Sequence, residues 1–333
     1  MSKNYMSGVH FNRRTAGITT TVVSALALSL VSGCSASSSS PSPTSKPEKP
    51  DLIVGAVPAE TSTALYIAQQ KRIFAAHGLH VTIKTIITAN DAVPDLLHGT
   101  MDIASGQVTS FISAQASGLG TFLVLASGLE MGPRVDEMVA LGGSGISSPA
   151  DLKGKTIAEN ASSGNGILLT DALLSAYDLK PDQVTPVVVP FADMSAALSA
   201  HRVQAAYCSE PYCTEMQQKG ATVVADLNEG AADNLLIGGY TATAAWVAKY
   251  PRTAAAFAAA IDQASEIADT NLTADERAFE AYLGAPARVA DVMATGTFPT
   301  SVAAGKLQQV ADLMQQYGEL KQQFTASVMV GNP

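Results

Sequence analysis

The sequence is short of cysteine, of aromatic residues and of basic residues. Of its 333 residues, three are cysteines, at positions 34, 208 and 213, and 6% are aromatic. Three cysteines cannot build a disulfide framework, so the fold depends on a hydrophobic core, which a chain that is 47% hydrophobic can supply. Lys and Arg number 20 against 29 Asp and Glu, for a formal charge of −9. An acidic chain without a basic stripe is a poor nucleic-acid binder, so we predict no nucleic-acid partner.

Motifs typical of enzymes and of metal sites are also missing. The five histidines form no pair at metal-ligand spacing on one helix, and no Gly-x-Ser-x-Gly elbow occurs. The glycine-rich stretches at 142–145 and 163–166 lack the spacing of a dinucleotide-binding loop. We therefore predict no catalytic residue, no metal and no cofactor.

The first 33 residues have the parts of a signal peptide. Lys3, Arg13 and Arg14 supply a positive start, and a short apolar run follows over residues 16–31. A membrane-spanning helix is the alternative, but the run falls short of the roughly 20 strongly apolar residues that a span needs. The Arg13-Arg14 pair also resembles a twin-arginine export signal, but the following Thr-Ala-Gly matches that signal weakly, so both export routes are kept as alternatives.

Small residues, Ser32 and Gly33, come directly before Cys34. This pattern resembles the lipobox of bacterial lipoproteins, which implies cleavage before Cys34, lipidation of its sulfur and anchoring to the outer face of the cell membrane. An ordinary secretion signal with an incidental cysteine is the alternative. Residues 34–50 are rich in Ser and Pro, and we predict that they form a disordered tether.

An alternation of strand and helix patterns begins at Asp51 and is clearest from Thr156 to Tyr212. Residues 156–158 predict a short strand and 167–179 a helix. The β-branched run over residues 184–189 predicts a buried strand. Strand, polar turn, helix and strand in succession predict an α/β fold. Because ligands bind beyond the carboxyl ends of parallel strands, the loops at 159–166 and 208–211 are candidates for a binding site.

Two segments of the sequence echo each other. Residues 97–105 and 200–207 align with Gly99 opposite His201 and Asp102 opposite Gln204. Each segment predicts a short helix that leads into a short strand. Either two similar α/β lobes or chance explains the echo.

The order of several motifs resembles the substrate-binding proteins of ABC importers, in the periplasmic-binding-protein type 2 branch that handles sulfonates, taurine, nitrate and thiamine-precursor pyrimidines. The resemblance covers roughly residues 51–320. It implies two α/β lobes with mixed sheets, hinge crossovers near 129–138 and 234–242, and a helical C-terminal region that returns to the first lobe. The predicted boundaries are 51–134 with 240–333 for lobe 1, and 135–239 for lobe 2. The motifs are Ala64-Leu-Tyr-Ile-Ala68, 97–104, 151–155, 190–198 and Glu210-Pro-Tyr212.

Four loops correspond to the ligand cleft of that family. Each precedes or follows a predicted helix, so helix capping alone is the alternative role for its polar residues. The predicted ligand-binding residues are Glu60, Thr61, Ser62, Ser105, Gln107, Asn160, Ser162, Ser163, Gly164, Asn165 and Glu210.

The resemblance implies a monomeric, non-enzymatic solute-binding protein whose partners are a small solute, the permease subunits of an ABC importer and, through its lipid, the membrane. Glu60, Glu159 and Glu210 lie on or near the cleft loops, and Arg134 is the only basic residue close by in sequence. A buried anion would meet those carboxylates, so a neutral or cationic nitrogenous ligand such as a pyrimidine is favoured over a sulfonate. A ligand-sensing receptor and a pyrimidine-precursor enzyme on the same fold are the alternative functions.

Cys208 and Cys213 flank Glu210. In an exported protein they can form a disulfide that clamps this turn, and two separate buried thiols are the alternative.

Overall fold

The computed structural model describes residues 46–270, 277, 278, 280–282, 284 and 286–331. The predicted signal peptide, the predicted lipid-bearing Cys34 and tether residues 35–45 lie outside the described residues. Among the helices that are described, none combines the length and the apolar character needed to cross a bilayer.

Two five-stranded sheets organise the chain. The strands are β1 Asp51–Ala56, β2 His80–Thr85, β3 Ile103–Gln107, β4 Phe122–Glu130, β5 Asp136–Leu141, β6 Thr156–Glu159, β7 Thr185–Val188, β8 Ala205–Ser209, β9 Ala221–Asp226 and β10 Leu236–Thr243. The first sheet has the order β2-β1-β3-β10-β4 and the second the order β7-β6-β8-β5-β9. Each sheet contains parallel and antiparallel pairs, which confirms the predicted α/β class with mixed sheets.

Helices connect and cover the strands. They are α1 Thr63–Gln70, α2 Ile73–Ala76, α3 Ala89–His98, α4 Val108–Ala116, α5 Asn165–Ala176, α6 Phe191–Ser199, α7 Tyr212–Gln218, α8 Ala244–Lys249, α9 Pro251–Thr270, α10 Ala287–Ala290 and α11 Ala304–Gln316. Helix α9 packs on α1, α2 and β4, while α11 packs on α4 and β10. The C-terminal helices therefore return to the first sheet.

The chain passes between the sheets twice, and each passage delivers an antiparallel strand. It leaves β4 and enters β5 through residues 131–135, then leaves β9 and enters β10 through residues 227–235. Strand β10 pairs with β3 and β4, so residues 236–239 already lie in the first sheet. The second passage therefore comes slightly earlier than the predicted crossover at 234–242, because the apolar run at Leu235 begins the returning strand.

The sequence echo corresponds to a structural repeat. Gly99 and His201 both have left-handed backbone conformations, with φ values of 72° and 54°. Three residues later in each repeat, a side chain accepts a backbone N–H from the neighbouring strand: Asp102 from Ile53 at 2.9 Å, and Gln204 from Thr156 at 2.9 Å. The same connection is thus built twice with different side chains.

Some local predictions from the sequence differ from the structure, because the position of a segment in the fold overrides its local hydrophobic pattern. Strand β7 was expected to be buried, but it is the edge strand of its sheet, and Val187 and Val188 are 40% and 57% exposed. Ser105 and Gln107 were expected in a turn, but they belong to strand β3. Residues 63–76 form two helices, α1 and α2, because Arg72 between them adopts a left-handed conformation with φ 57°.

The last residues of the predicted tether are ordered, which corrects the predicted disorder over 46–50. The Glu48 carboxylate accepts the backbone N–H groups of Arg252 at 3.2 Å and Thr253 at 2.9 Å, in the first turn of α9. An acidic side chain at a helix N-terminus satisfies free N–H groups and meets the positive end of the helix dipole. The Ser- and Pro-rich composition gave no sign of this cap because α9 lies about 200 residues further along the chain.

Loss of this cap should destabilise the protein. We expect Glu48→Ala to lower the free energy of unfolding by about 1 kcal/mol, the usual cost of a lost helix cap. The matched control is Lys46→Ala, since the Lys46 side chain is exposed and only its backbone oxygen is bonded to Arg252. Urea denaturation of both variants measures the difference. Equal stability of Glu48→Ala and the wild type would show that residues 46–50 are detached in solution.

Candidate functional site

The loops that follow the parallel strands of the two sheets are buried against each other. The backbone N–H of Glu60, after β1, donates to the carbonyl of Glu210, after β8, at 3.4 Å. The hydroxyl of Thr109, after β3, donates to the side-chain oxygen of Asn165, after β6, at 2.8 Å. The carboxyl ends of the strands in both sheets therefore meet at one interface, where an α/β fold usually binds its ligand.

The first predicted loop is a buried turn that connects β1 to α1. Glu60, Thr61 and Ser62 form one turn of 3-10 helix. The Ser62 hydroxyl lies 2.9 Å from the hydroxyl of Ser105 at the end of β3. Thr61 packs directly on Gly238 of β10, where an added Cβ would come within 2.8 Å of the Thr61 Cβ. A glycine at 238 thus lets the turn sit against the sheet and brings three predicted residues together with Ser105.

The second and third predicted loops meet at Asn165, the first residue of α5. Its side-chain oxygen accepts from Thr109, and its Nδ2 donates to the carbonyl of Ile237 at 2.9 Å. The side-chain oxygen of Gln107 would lie 3.6 Å from a Cβ at Gly164. Gln107, Gly164 and Asn165 are therefore brought together, as the prediction required, and Asn165 bridges the two sheets.

The residues of the loop after β6 differ in how deeply they are buried. Ser162 is exposed and Ser163 is half-buried, while the other nine predicted residues are buried. Asn90 donates to the Ser163 hydroxyl at 3.5 Å, across the two sheets. The backbone N–H of Gly164 donates to the Glu319 carboxylate, from the C-terminal region, at 3.3 Å. Ser162 therefore lies apart from the cluster, and Glu319 joins it.

Several buried polar atoms have no hydrogen-bond partner among the described residues. At the interface they include the side-chain amide nitrogen of Asn160 and the hydroxyl of Ser110 on α4. Asn160 is 4% exposed and Ser110 is 2% exposed. Buried polar groups are nearly always hydrogen-bonded, so these two side chains mark a place where a solute can supply the missing partners.

The Glu210 carboxylate is occupied by protein donors. One oxygen accepts the hydroxyl of Thr214 at 2.8 Å and the backbone N–H of Ala294 at 3.2 Å. The other accepts the backbone N–H of Thr214 at 3.1 Å. Glu210 therefore orders its own turn and binds a C-terminal segment, instead of presenting a free carboxylate.

A disulfide joins Cys208 and Cys213 and closes the turn around Glu210. Both cysteines are fully buried. The next residue after Pro211, Tyr212, donates its hydroxyl to the carbonyl of Pro58 in the first loop at 3.2 Å. The covalent link thus restrains the turn that carries two contacts to the other sheet.

Aromatic rings from both sheets gather beside these loops. Tyr66 of α1 stacks on Tyr282 with ring centroids 4.7 Å apart. Tyr212 of α7 stacks on Phe191 at 5.4 Å. Burial, together with smaller effects of the neighbouring Tyr212 and Tyr282, raises the pKa of Tyr66 to about 12. Stacked rings of this kind provide flat apolar surface with polar edges.

The charged groups buried near the interface are acidic. Within the described part of the chain, the buried charged side chains include no Lys, Arg or His; they are Glu60, Asp102, Asp136, Glu137, Glu159 and Glu210. Burial raises the pKa of Glu159 to about 8, although the Thr170 hydroxyl donates to it. Burial also raises the pKa values of Asp136, Glu210 and Glu319 to about 7. These carboxyl groups therefore bind protons close to neutral pH.

Sequence reasoning missed several residues at the interface between the loops of the two sheets. Thr109 and Ser110 come directly after Gln107 but belong to an apolar helix, α4. Tyr66 is in α1 and has the spacing of a core residue. Glu319 is separated from Gly164 by 155 positions, so no local pattern connects them. Only the polar residues at the start of α4, directly after Gln107, offered a signal that the sequence could have supplied.

Comparison with known proteins now defines the family. The family model described as NMT1/THI5 like matches residues 60–271, which is more than half of the chain. The chain belongs to this family. No curated protein sequence matches it.

Solved structures share the fold at low sequence identity. The alkanesulfonate-binding protein SsuA from Xanthomonas axonopodis pv. citri is 19% identical with a TM-score of 0.72, over 85% of this chain and 99% of that one. The periplasmic nitrate-binding protein NrtA from Synechocystis PCC 6803 is 18% identical with a TM-score of 0.64, over 74% and 70%. The desulfurization enzyme DSZB is 16% identical with a TM-score of 0.63, over 85% and 96%. The predicted binding-protein fold is confirmed.

The buried Glu159 carboxyl should make stability depend on pH. Its pKa is about 8 in the folded protein against an ordinary 4.5, so the folded state keeps a proton that the unfolded state loses between these values. The free energy of unfolding should therefore fall as the pH rises from 4.5 to 8. We expect Glu159→Gln, which cannot ionise, to be more stable than the wild type at pH 9 by roughly 2 to 4 kcal/mol, with little difference at pH 4.5.

Urea denaturation at pH 4.5, 7 and 9 measures this effect. The control is Asp182→Asn, which changes an exposed carboxylate outside the cluster. A Glu159→Gln variant that is less stable than the wild type at pH 9 would contradict the assignment, because it would mean that the ionised carboxylate stabilises the fold.

The disulfide should contribute modestly to stability. For so short a loop, the chain-entropy model gives about 2 kcal/mol, so we expect the double variant Cys208→Ser/Cys213→Ser to lose about that much free energy of unfolding. Thiol titration of the denatured wild-type chain without reductant should detect one thiol in unlipidated protein, from Cys34. Three thiols would show that the pair is reduced.

Proposed function

We propose that this protein is the extracytoplasmic solute-binding component of an ABC importer, which encloses a small organic solute between two lobes and delivers it to the permease. The observation that carries the proposal is the burial of both sets of strand-end loops against each other around two unpartnered polar side chains, Asn160 and Ser110. A solute held there contacts both lobes, so its binding free energy favours the closed arrangement.

The two passages between the sheets serve as hinges in this proposal. Residues 131–135 and 227–235 are the segments that join one sheet to the other. The lobes are those predicted from the sequence, 51–134 with 240–333 and 135–239, with the second boundary moved to the start of β10. Two short connections between compact halves are the usual basis of hinge closure.

The favoured ligand is a neutral or cationic nitrogenous molecule such as a pyrimidine. The buried charges of the described residues are all acidic. Arg134, the basic residue nearest in sequence, is half-exposed and donates to Glu137 at 3.2 Å. The stacked Tyr66–Tyr282 and Tyr212–Phe191 pairs suit a planar ring. A sulfonate is the alternative, since the N-termini of α4 and α5 meet at the interface and favour anions.

A non-enzymatic role suits the side chains of the cluster. The Glu210 oxygens are bonded to protein donors, and the two buried cysteines are joined in a disulfide, so they offer no thiol nucleophile. The likeness to DSZB leaves an enzyme on this fold as a candidate. A ligand-sensing receptor would use the same cleft.

The location follows from the signal peptide and Cys34. We propose that the mature protein is a monomer anchored by lipid to the outer face of the cell membrane, with the permease subunits as its partners. The Cys208–Cys213 disulfide supports export, because disulfides persist mainly outside the reducing cytosol.

A thermal-shift screen tests the function. Pyrimidines, amines, sulfonates and nitrate are each added to the full chain, and a true ligand should stabilise it by about 2.7 kcal/mol at 100 times its Kd. We expect a pyrimidine or an amine to shift the melting temperature and nitrate to have no effect. Tight sulfonate binding without pyrimidine or amine binding would overturn the ligand class. A screen in which no compound stabilises the protein would count against the solute-binding role.

Variants at the unpartnered amide sharpen this test. Asn160→Ala removes the side-chain amide donor without adding a charge, so it should weaken binding of the active compound by about tenfold or more, as expected for a lost hydrogen bond to a buried group. Ser162→Ala is the control, because Ser162 lies on the same loop but is exposed. Equal affinity of both variants, measured by calorimetry, would exclude Asn160 as a ligand contact.

A further inference from the structure

A C-terminal segment, residues 287–297, is attached to the first sheet. It begins with α10, in which Val289 and Ala290 are buried, and it ends at Thr297, which pairs with Glu130 at the end of β4. Two backbone hydrogen bonds of 2.9 and 3.0 Å form this pairing. At Gly296 an added Cβ would come within 2.4 Å of the Glu130 carbonyl oxygen, so the segment is tightly seated.

The same segment also bonds to residues that belong to the second sheet. The side-chain amide of Gln218, at the end of α7, donates to the Arg288 carbonyl at 2.8 Å. The Ala294 N–H donates to the Glu210 carboxylate at 3.2 Å. Two residues later, the Gly296 N–H donates to the Glu60 carboxylate, on the first sheet, at 2.7 Å.

These bonds connect two carboxylates from opposite sheets through one short piece of backbone. The segment is fixed to β4, directly before the first passage between the sheets, and Gly132 of that passage would place a Cβ 3.2 Å from the Thr295 carbonyl oxygen. If the lobes separate, the bonds to Glu210 and Gln218 must break, whereas the pairing with Glu130 stays within the first lobe.

We propose that residues 287–297 form a strap that holds the second lobe closed against the first, and that Glu210 and Gln218 position the closed state through this strap. This proposal rests on the proposed solute-binding function, because a strap of this kind matters only to a protein whose lobes open and close. It assigns Glu210, predicted from the sequence as a ligand contact, to closure.

The hydrogen bonds that hold the Glu210 carboxylate in place favour its role in closure. The Glu210 carboxylate is held in place by two bonds from Thr214 within its own helix and by the disulfide that closes its turn. A fixed acceptor loses little conformational freedom when the strap N–H reaches it. The Glu210 carboxyl is buried, and breaking a hydrogen bond to a buried group costs more than breaking one at the surface, so this contact has a measurable effect on the balance between open and closed forms.

Hydrogen exchange of the full chain, without any added solute, tests the strap. Gln218→Ala removes the exposed bond to Arg288, and Glu210→Gln weakens the bond to Ala294. Both variants should speed exchange in the strap and also at Gly164 and Asn165, which contact neither mutated residue. A change of about threefold to tenfold in exchange rate is expected for the loss of one such bond. Lys219→Ala is the matched control, because Lys219 neighbours Gln218 and its side chain pairs with Glu215, with no ion pair to the strap among the described residues.

Faster exchange at the distant Gly164–Asn165 site in both variants, and none in the control, would support the strap. Changes confined to residues 210–218 and 288–294 would overturn it, since a purely local role leaves the distant contact intact. Rapid exchange of the strap amides in the wild type would overturn it as well. Because no solute is used, the two failures can be told apart: an absent effect at Gly164–Asn165 overturns the strap but not solute binding, whereas a failed screen counts against solute binding without changing the exchange result.

Discussion

Burial of polar loops between two sheets is the constraint on which the rest of the structure depends. A polar group removed from water must find a partner or lose much of its hydrogen-bond free energy. Some of the partners come from another part of the fold: Asn165 accepts from Thr109 of the other half, and Glu319 of the C-terminal region accepts from the Gly164 N–H. Asn160 and Ser110 are exceptions, because their buried polar atoms have no partner in the described part of the chain. The protein therefore satisfies part of the hydrogen-bonding capacity of the interface and leaves several buried polar atoms, including these two, without a partner among the described residues.

The repeated architecture explains how such an interface arises. Each sheet places three parallel strands beside a strand that arrives from the other half, with β10 in the first sheet and β5 in the second. The exchanged strands bring the two halves together with their strand ends facing each other. Within the described residues, the chain passes between the two sheets twice, through residues 131–135 and 227–235. The C-terminal region, which follows the strands of both sheets in the sequence, adds further contacts across the interface.

The buried charges set the chemical character of the site. Carboxyl groups without basic partners are costly to ionise in a low-dielectric interior, so burial raises their pKa values toward neutrality. Protonation relieves this cost, and so does a ligand that donates hydrogen bonds or carries positive charge. An anion gains from the helix N-termini but must tolerate the carboxylates. A sulfonate is favoured if the helix N-termini have the larger effect on the binding free energy, and a nitrogenous ligand is favoured if the carboxyl groups do.

The sequence by itself determined the order of strands and helices, the α/β class, the family resemblance and most of the loops that meet at the interface. These features follow from local periodicity, from turn residues and from motif order, which act over a few tens of residues. The exposed edge position of β7, the cap that Glu48 provides to α9, and the strap contact with Glu210 were decided only by the tertiary structure. The Glu210 contact and the cap depend on partners more than 80 and more than 200 positions away in the chain. The exposure of β7 depends on its place within its sheet. Local sequence carries no information about either. Glu210 illustrates the difference, since its turn was evident from Cys208-Ser-Glu-Pro, whereas the groups that occupy its carboxylate became visible only after the chain had folded.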